Sequence, residues 1–173
     1  PELGAEGDRL VIAENIEISA QTDAGLFYGV QTLKQLFPVT AQATYQLPKI
    51  VITDIPQYAW RGSMVDVARH FSSIDYIKKH VERMAAFKLN KLHFHLSDDQ
   101  GWRMEIKKYQ KLTSVGGSTQ AGGGPGGFYT QEELKDLVAF AAQHNIDVIP
   151  ELDMPGHVQA AIASYNELAC DNV

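Results

Sequence analysis

Lys91-Leu-His-Phe-His-Leu96, running directly into Ser97-Asp98-Asp99, is the stretch on which the fold turns. Leu92, Phe94 and Leu96 alternate with His93 and His95, the period of two expected of a β-strand. Ahead of it, Ser72 or Ser73 caps a helix in which Ile74, Ile77, Val81 and Met84 recur at helical spacing, with Asn90 closing the unit. Further upstream, Arg61-Gly-Ser-Met-Val-Asp-Val-Ala-Arg69 reads as another strand. Downstream, a long loop runs to Phe128. Thr130-Gln-Glu-Glu133 then forms a capping box opening a helix with Leu134, Leu137, Val138 and Ala141 inward. Ile146-Asp-Val-Ile-Pro-Glu-Leu152 is the third strand.

Strand, helix, strand, helix, strand calls for parallel pairing through right-handed crossovers. Each strand runs out into polar residues: Arg69-His70, Asp98-Asp99, and Asp153 through His157. In parallel α/β folds that end of the sheet is where sites are built. Three consecutive units of this kind favour a (β/α) barrel over an open sheet, although three strands cannot close a barrel of eight. The expectation for residues 56–173 is therefore α/β: an incomplete (β/α)8 TIM barrel, about its first three strands.

Residues 1–55 follow a different rhythm. One or two short strands over 10–19 are marked by Ile16 and Ile18 alternating with Glu17 and Ser19. Asp23 is a candidate N-cap for a helix carrying Leu26, Val30, Leu33 and Phe37 on one face and stopped by Pro38. Ile50 and Ile52 alternate in a further strand. This order predicts part of a small α+β domain with its boundary near Pro56. The chain opens at Pro1 without an initiator methionine, which reads as a processed or excised piece.

Composition narrows the function. With 173 residues, 45% of them hydrophobic and 21% charged, the chain can bury a core. A net charge of −6 with no basic block argues against nucleic acid or an anionic membrane as partner. No apolar run approaches the roughly 20 residues of a membrane span. Cys170 is the single cysteine, which excludes an internal disulfide and cysteine-rich zinc sites.

Four features carry candidate chemistry. His93 and His95, two residues apart, share a strand face and could hold zinc with carboxylates completing the shell; hydrogen-bonded histidines in a polar interior are the alternative. Adjacent Asp98 and Asp99 point opposite ways in an extended chain, so one of them reads as a loop-end cap unless the backbone turns. Glu151 and Asp153 share a strand face, and Pro155-Gly156 could turn His157 back toward them, as a catalytic imidazole or as a structural turn. Arg69 offers a planar fork for a carboxylate, a phosphate or vicinal sugar hydroxyls, against the plainer reading of a surface salt bridge. The Gly116–Gly127 stretch lacks the Gly-x4-Gly-Lys-Ser/Thr pattern and reads as a flexible loop, not a phosphate cradle.

Taken in order, Asp66-Val-Ala-Arg69-His70-Phe71, Lys91 through Trp102, Gly127-Phe-Tyr-Thr130 and Glu151-Leu-Asp153-Met-Pro-Gly-His157 resemble glycoside hydrolase family 20, the β-N-acetylhexosaminidases. Phe27-Tyr-Gly-Val-Gln-Thr-Leu33 is similar to the closing helix of the small domain that precedes the barrel in that family. The resemblance implies retaining removal of a terminal β-linked N-acetylglucosamine or N-acetylgalactosamine, with the substrate's own 2-acetamido oxygen as nucleophile. By the same resemblance Arg69 holds hydroxyls of the non-reducing sugar, Asp98 and His157 tune the general acid, and Asp153 supports them. His95 and Glu151 stand behind these residues, and neither metal nor cofactor is expected.

One departure matters most. The family's acid and its acetamido-orienting partner form a consecutive Asp-Glu pair, and this sequence contains no Asp-Glu dipeptide. The expectation is the front portion of such an enzyme, inactive alone, with an exposed sheet edge that favours self-association or a completing C-terminal half. A non-catalytic sugar-binding or assembly fragment is the alternative.

Overall fold

The computed structural model describes residues 2–170 of the chain. These divide into two compact units, one of residues up to Arg61 together with Met84–Leu89, the other of Gly62–Arg83 with Asn90 onward.

In the first unit, β1 (Asp8–Ile12) is the central strand, antiparallel to both β2 (Ile16–Ala20) and β3 (Ile50–Asp54). Helix α1 (Asp23–Gln35) is capped by Thr22, not Asp23: the Thr22 hydroxyl accepts the Gly25 N–H at 3.2 Å, and Asp23 supplies a negative charge to the first turn. The buried face of α1 also differs from the apolar stripe expected from the sequence. Leu26 and Val30 are about 40% exposed, whereas Gly25, Tyr28 and Gly29 are buried. Close approach explains the choice. A Cβ at Gly25 would lie 2.6 Å from the Gly7 carbonyl oxygen, and one at Gly29 would lie 2.4 Å from the Ile18 side chain. Lys88, at φ 57°, sends its ammonium to Asp8 (2.9 Å) and Asp54 (2.6 Å), so the buried Asp8 carboxylate is neutralised.

The second unit is built on a parallel sheet of β4 (Gly62–Asp66), β5 (Lys91–His95) and β8 (Asp147–Glu151) in that order, with α2 (Ile74–Ala86) and α4 (Gln131–Ala142) as crossovers. The register aligns Asp66 with His95 and His95 with Glu151. Leu92 and Phe94 are fully buried on one face, with Ile77 and Val81 of α2 and Leu137 and Ala141 of α4 buried as well. Ser73 opens α2 through its hydroxyl, which accepts the Tyr76 N–H at 3.4 Å, and the Thr130–Glu133 capping box opens α4 as the sequence predicts. Leu134 and Val138 line a cavity of about 490 Å3 with Phe94, Leu96 and Val148, so they are less enclosed than an inward reading expects.

The segment before α4 is not simply a loop. It holds the hairpin β6 (Ser97–Asp98) and β7 (Gly101–Trp102) and a short helix α3 (Lys111–Ser114). After β8, α5 (Gln159–Ser164) packs its Ala160 and Ala161 against Trp102 and Leu112.

Candidate active site

Three elements converge where β4, β5 and β8 end. Asp66 closes β4 with an Asx turn, its Oδ1 accepting the N–H groups of Ala68 and Arg69 at 3.0 Å each. That turn brings the Arg69 guanidinium back over the sheet, Nη1 donating to Asp66 Oδ2 at 2.7 Å and Nη2 reaching Asp98 Oδ2 at 2.6 Å. Arg69 is thus ion-paired, as the salt-bridge reading expects, but one of its two partners, Asp98, is buried.

Asp98 and Asp99 separate as the alternation of an extended chain predicts. The β6–β7 hairpin turns Asp98 inward, leaving it 1% exposed, and its Oδ1 accepts the Asp99 N–H at 2.7 Å. Asp99 stays exposed and accepts the Gln159 N–H at 3.1 Å, capping the start of α5. His157 follows the Met154–Pro155 cis peptide at φ 56°, and its Nδ1 lies 3.3 Å from Asp98 Oδ1.

Behind these groups sits a histidine–carboxylate chain. His95 Nε2 lies 3.0 Å from Asp98 Oδ2 and 3.2 Å from Arg69 Nη1. His95 Nδ1 is 3.0 Å from Glu151 Oε1, an ion-pair distance at an angle poor for a hydrogen bond. The other oxygen of Glu151 meets His93 Nε2. Asp153 is tied to the same hairpin by its N–H, which donates to Ser97 Oγ at 3.1 Å.

The electrostatics follow from this alternation of sign. Burial is the largest influence on His95 and disfavours its charged form, yet Asp98 and Glu151 outweigh it together and raise its pKa. Burial likewise opposes ionisation of Asp98, but the Asp99 N–H, His95 and Arg69 hold it below the usual carboxylate range. Glu151 is also held low, against burial, chiefly by His95, with His93 on its other oxygen. Asp66 is the main cause of a raised Arg69 pKa.

His93 and His95 do not converge on a shared cation position; both turn to Glu151. Among the described residues, His95, Asp98 and Asp153 bring one ligand atom each within 4.8 Å of one another, as do Asp98, Asp99 and His157. Asp98 belongs to both sets, and the Arg69 guanidinium already occupies it, which opposes a metal ion there by like-charge repulsion.

Two features escape sequence reasoning. Arg103 is fully buried, and its donors reach backbone carbonyls of Val67, Ala68, Gly117, Thr119 and Gly127. The glycine-rich stretch, expected to be a flexible loop, is thus anchored at both ends around a guanidinium. The second is a cavity of about 510 Å3 lined by Trp102, Tyr109, Tyr165 and the Asp153–Pro155 turn. No spacing pattern announces either, because one depends on carbonyls and the other on residues far apart in sequence.

Residues 58–173 match the model of the glycosyl hydrolase family 20 catalytic domain, and residues 1–55 match that of the family's domain 2. A beta-hexosaminidase of Porphyromonas gingivalis is 47% identical over 163 residues, covering 90% of this chain and 21% of its own length. A beta-N-acetylhexosaminidase of Cellulomonas fimi is 44% identical over 166 residues, covering 95% of this chain and 34% of its own. Among solved structures, the N-acetyl-beta-hexosaminidase of Streptomyces plicatus superposes with a TM-score of 0.94 at 49% identity, over 100% of this chain and 36% of that one. The chain thus spans between about a fifth and just over a third of the length of these relatives.

Proposed function

The chain belongs to glycosyl hydrolase family 20, and from that premise we propose that it is the front portion of a retaining exo-β-N-acetylhexosaminidase. In this reading 1–55 is part of the small α+β domain and 56–173 contributes about the first three strands of a (β/α)8 barrel. The observation that carries the reading is the contact of Arg69 and His157 with opposite oxygens of the buried Asp98, at 2.6 and 3.3 Å.

The chemistry has two demands. The 2-acetamido carbonyl oxygen of the substrate attacks C1 as the bond from C1 to the leaving oxygen breaks, while a general acid protonates that oxygen. Water then opens the oxazolinium at C1 with overall retention. Arg69, about a third exposed and paired on both flanks, holds hydroxyls of the terminal sugar with N–H directions fixed before binding. Asp98 favours the His157 tautomer with the proton on Nδ1 and so fixes the orientation of the ring that tunes the general acid. His95 and Arg69 keep Asp98 ionised, and Glu151 supports the positive charge of His95 from its other side.

The acid itself has no counterpart here, since no Asp-Glu dipeptide occurs in the sequence. A positioned acid supplies roughly 10²–10⁴-fold. The purified 173-residue chain is therefore expected to leave a chromogenic β-N-acetylglucosaminide intact, while a longer protein containing it hydrolyses that substrate. Turnover by the 173-residue chain overturns the assignment of the missing acid. N-acetylglucosamine binding without hydrolysis, abolished in Arg69→Ala, would instead identify a binding fragment.

A further inference from the structure

We propose that Arg103 is a positioning residue for the sugar-binding arginine: it fixes the backbone leading into Arg69 and the glycine-rich stretch that holds the Arg69 carbonyl, and so sets the aim of that guanidinium. The inference rests on the reading of Arg69 as the residue that grips the terminal sugar.

An arginine carries five N–H donors in a planar fork. In Arg103 all five have backbone acceptors. Nε donates to Val67 O at 2.9 Å; Nη1 donates to Gly117 O at 3.2 Å and Gly127 O at 3.0 Å; Nη2 donates to Ala68 O at 2.7 Å and Thr119 O at 2.9 Å. Two of these carbonyls belong to the segment leaving β4, immediately before Arg69. The other three belong to the glycine-rich stretch, which returns to Arg69 through the Ala121 N–H on the Arg69 carbonyl at 2.8 Å. The peptide entering Arg69 is thus held at its N–H by Asp66 and at its Ala68 carbonyl by Arg103, the peptide before it by Arg103 at Val67, and the Arg69 carbonyl by Ala121.

The neighbourhood is shaped around this fork. A Cβ at Gly101 would lie 2.2 Å from the Arg103 guanidinium carbon, so only glycine leaves the group its place. The Phe71 ring lies over the guanidinium with 5.9 Å from its carbon to the ring centre. Burial lowers the Arg103 pKa because it takes the cation out of water, and the five carbonyl oxygens oppose that loss. A lysine could not reproduce the arrangement: its ammonium has three donors at one point, and five carbonyls spread along a fork would be left partly unsatisfied.

A purely structural role would lower stability without singling out the sugar grip. Kinetics on the protein at its natural length separate the two. Wild type, Arg69→Ala, Arg103→Lys and the double variant are compared on a chromogenic β-N-acetylglucosaminide, with folding checked by circular dichroism. Gly101→Ala displaces the guanidinium while keeping its charge, and serves as a second route to the same perturbation.

Arg69→Ala is expected to raise KM; if it does not, the sugar-binding reading fails, a result distinct from failure of the present inference. Given that rise, Arg103→Lys is expected to raise KM about tenfold, with a smaller change in kcat. In the double variant it should add nothing to the effect of Arg69→Ala. If wild type binds but does not turn over the glycoside, the same comparison is made with the Kd for N-acetylglucosamine. An unchanged KM in folded Arg103→Lys and Gly101→Ala, or additive effects in the double variant, overturns the inference. So does failure of both variants to fold, which would make Arg103 a stability residue only.

Discussion

Replacing Asp98 by asparagine removes the charge of the most deeply buried carboxylate at the strand ends and keeps its shape. The wild-type side chain takes Arg69 Nη2 at 2.6 Å, His95 Nε2 at 3.0 Å, His157 Nδ1 at 3.3 Å and the Asp99 N–H at 2.7 Å. Asparagine can retain the Asp99 bond through Oδ1, but it turns an amide toward Arg69 and a protonated His95, donor against donor. Removing one partner of a fully buried pair destabilises by roughly 3–5 kcal/mol. Arg69 is partly solvated and keeps Asp66, so its share is below about 1 kcal/mol. The His95 contact is buried on both sides and contributes roughly 1.5–3 kcal/mol. The expected loss is about 3 kcal/mol, or roughly 6–12 °C in melting temperature for a domain of 150–250 residues.

The pH dependence makes the test sharper. The His95 pKa is raised, so its contribution is complete below the ordinary imidazole value of about 6.5 and is lost as pH rises through the folded value. The Asp98 pKa is lowered, so its contribution is present above the ordinary carboxylate value of about 4 and is lost as pH falls through the folded value. Wild type and Asp98→Asn should therefore differ most between about pH 4 and 6.5, with the gap narrowing on either side. Thermal melts followed by circular dichroism across that range decide it. A gap under about 1 kcal/mol near pH 5.5, or one that does not vary with pH, would refute the reasoning.

Elsewhere the expected effects are simpler. Lys88→Met leaves the buried Asp8 carboxylate without its nearest cation and should cost about 3 kcal/mol in denaturant unfolding; a loss under about 1 kcal/mol would show that Asp8 does not depend on that pair. Thr130→Ala removes one half of the capping box of α4 and should lower stability by about 1 kcal/mol, with Thr130→Ser restoring most of it. An alanine variant as stable as wild type would show that Glu133 and water satisfy the helix end unaided.

The parallel sheet was legible because its signals are local. Alternation in Lys91–His95 and the apolar run before Glu151 mark strands, and the Thr130–Glu133 box marks a helix start, without reference to anything distant. The face of α1 was not legible for a physical reason. Hydrophobic spacing selects Leu26 and Val30, but the helix approaches the sheet through Gly25 and Gly29, where the absence of a side chain is what permits contact. Arg103 is the stronger case. An arginine satisfied by carbonyls has no partner residue type to search for, so its five acceptors emerge only when the chain has folded around it. Asp98 and Asp99 lie between these extremes: alternation predicted opposite directions, yet not which of the two would turn inward.

Register, more than any single side chain, sets the candidate site. Asp66, His95 and Glu151 occupy one row across β4, β5 and β8, and the pairing continues past the strands through Val67 N–H to His95 O and Leu96 N–H to Glu151 O. A slip of one residue in β5 would turn both histidines to the other face and set Phe94 or Leu96 in the row. The row alternates carboxylate, imidazole and carboxylate, so each charge finds an opposite neighbour before any loop residue arrives. Arg69 and Asp98 then extend that alternation upward from the sheet, and His157 reaches it from the turn after β8. A buried carboxylate needs such company to stay ionised, and Asp98 has it in Arg69, His95, His157 and the Asp99 N–H. Its orientation is therefore a property of the paired backbone beneath it, which is why a group holding the loop backbone, such as Arg103, bears on the aim of Arg69 without touching a sugar.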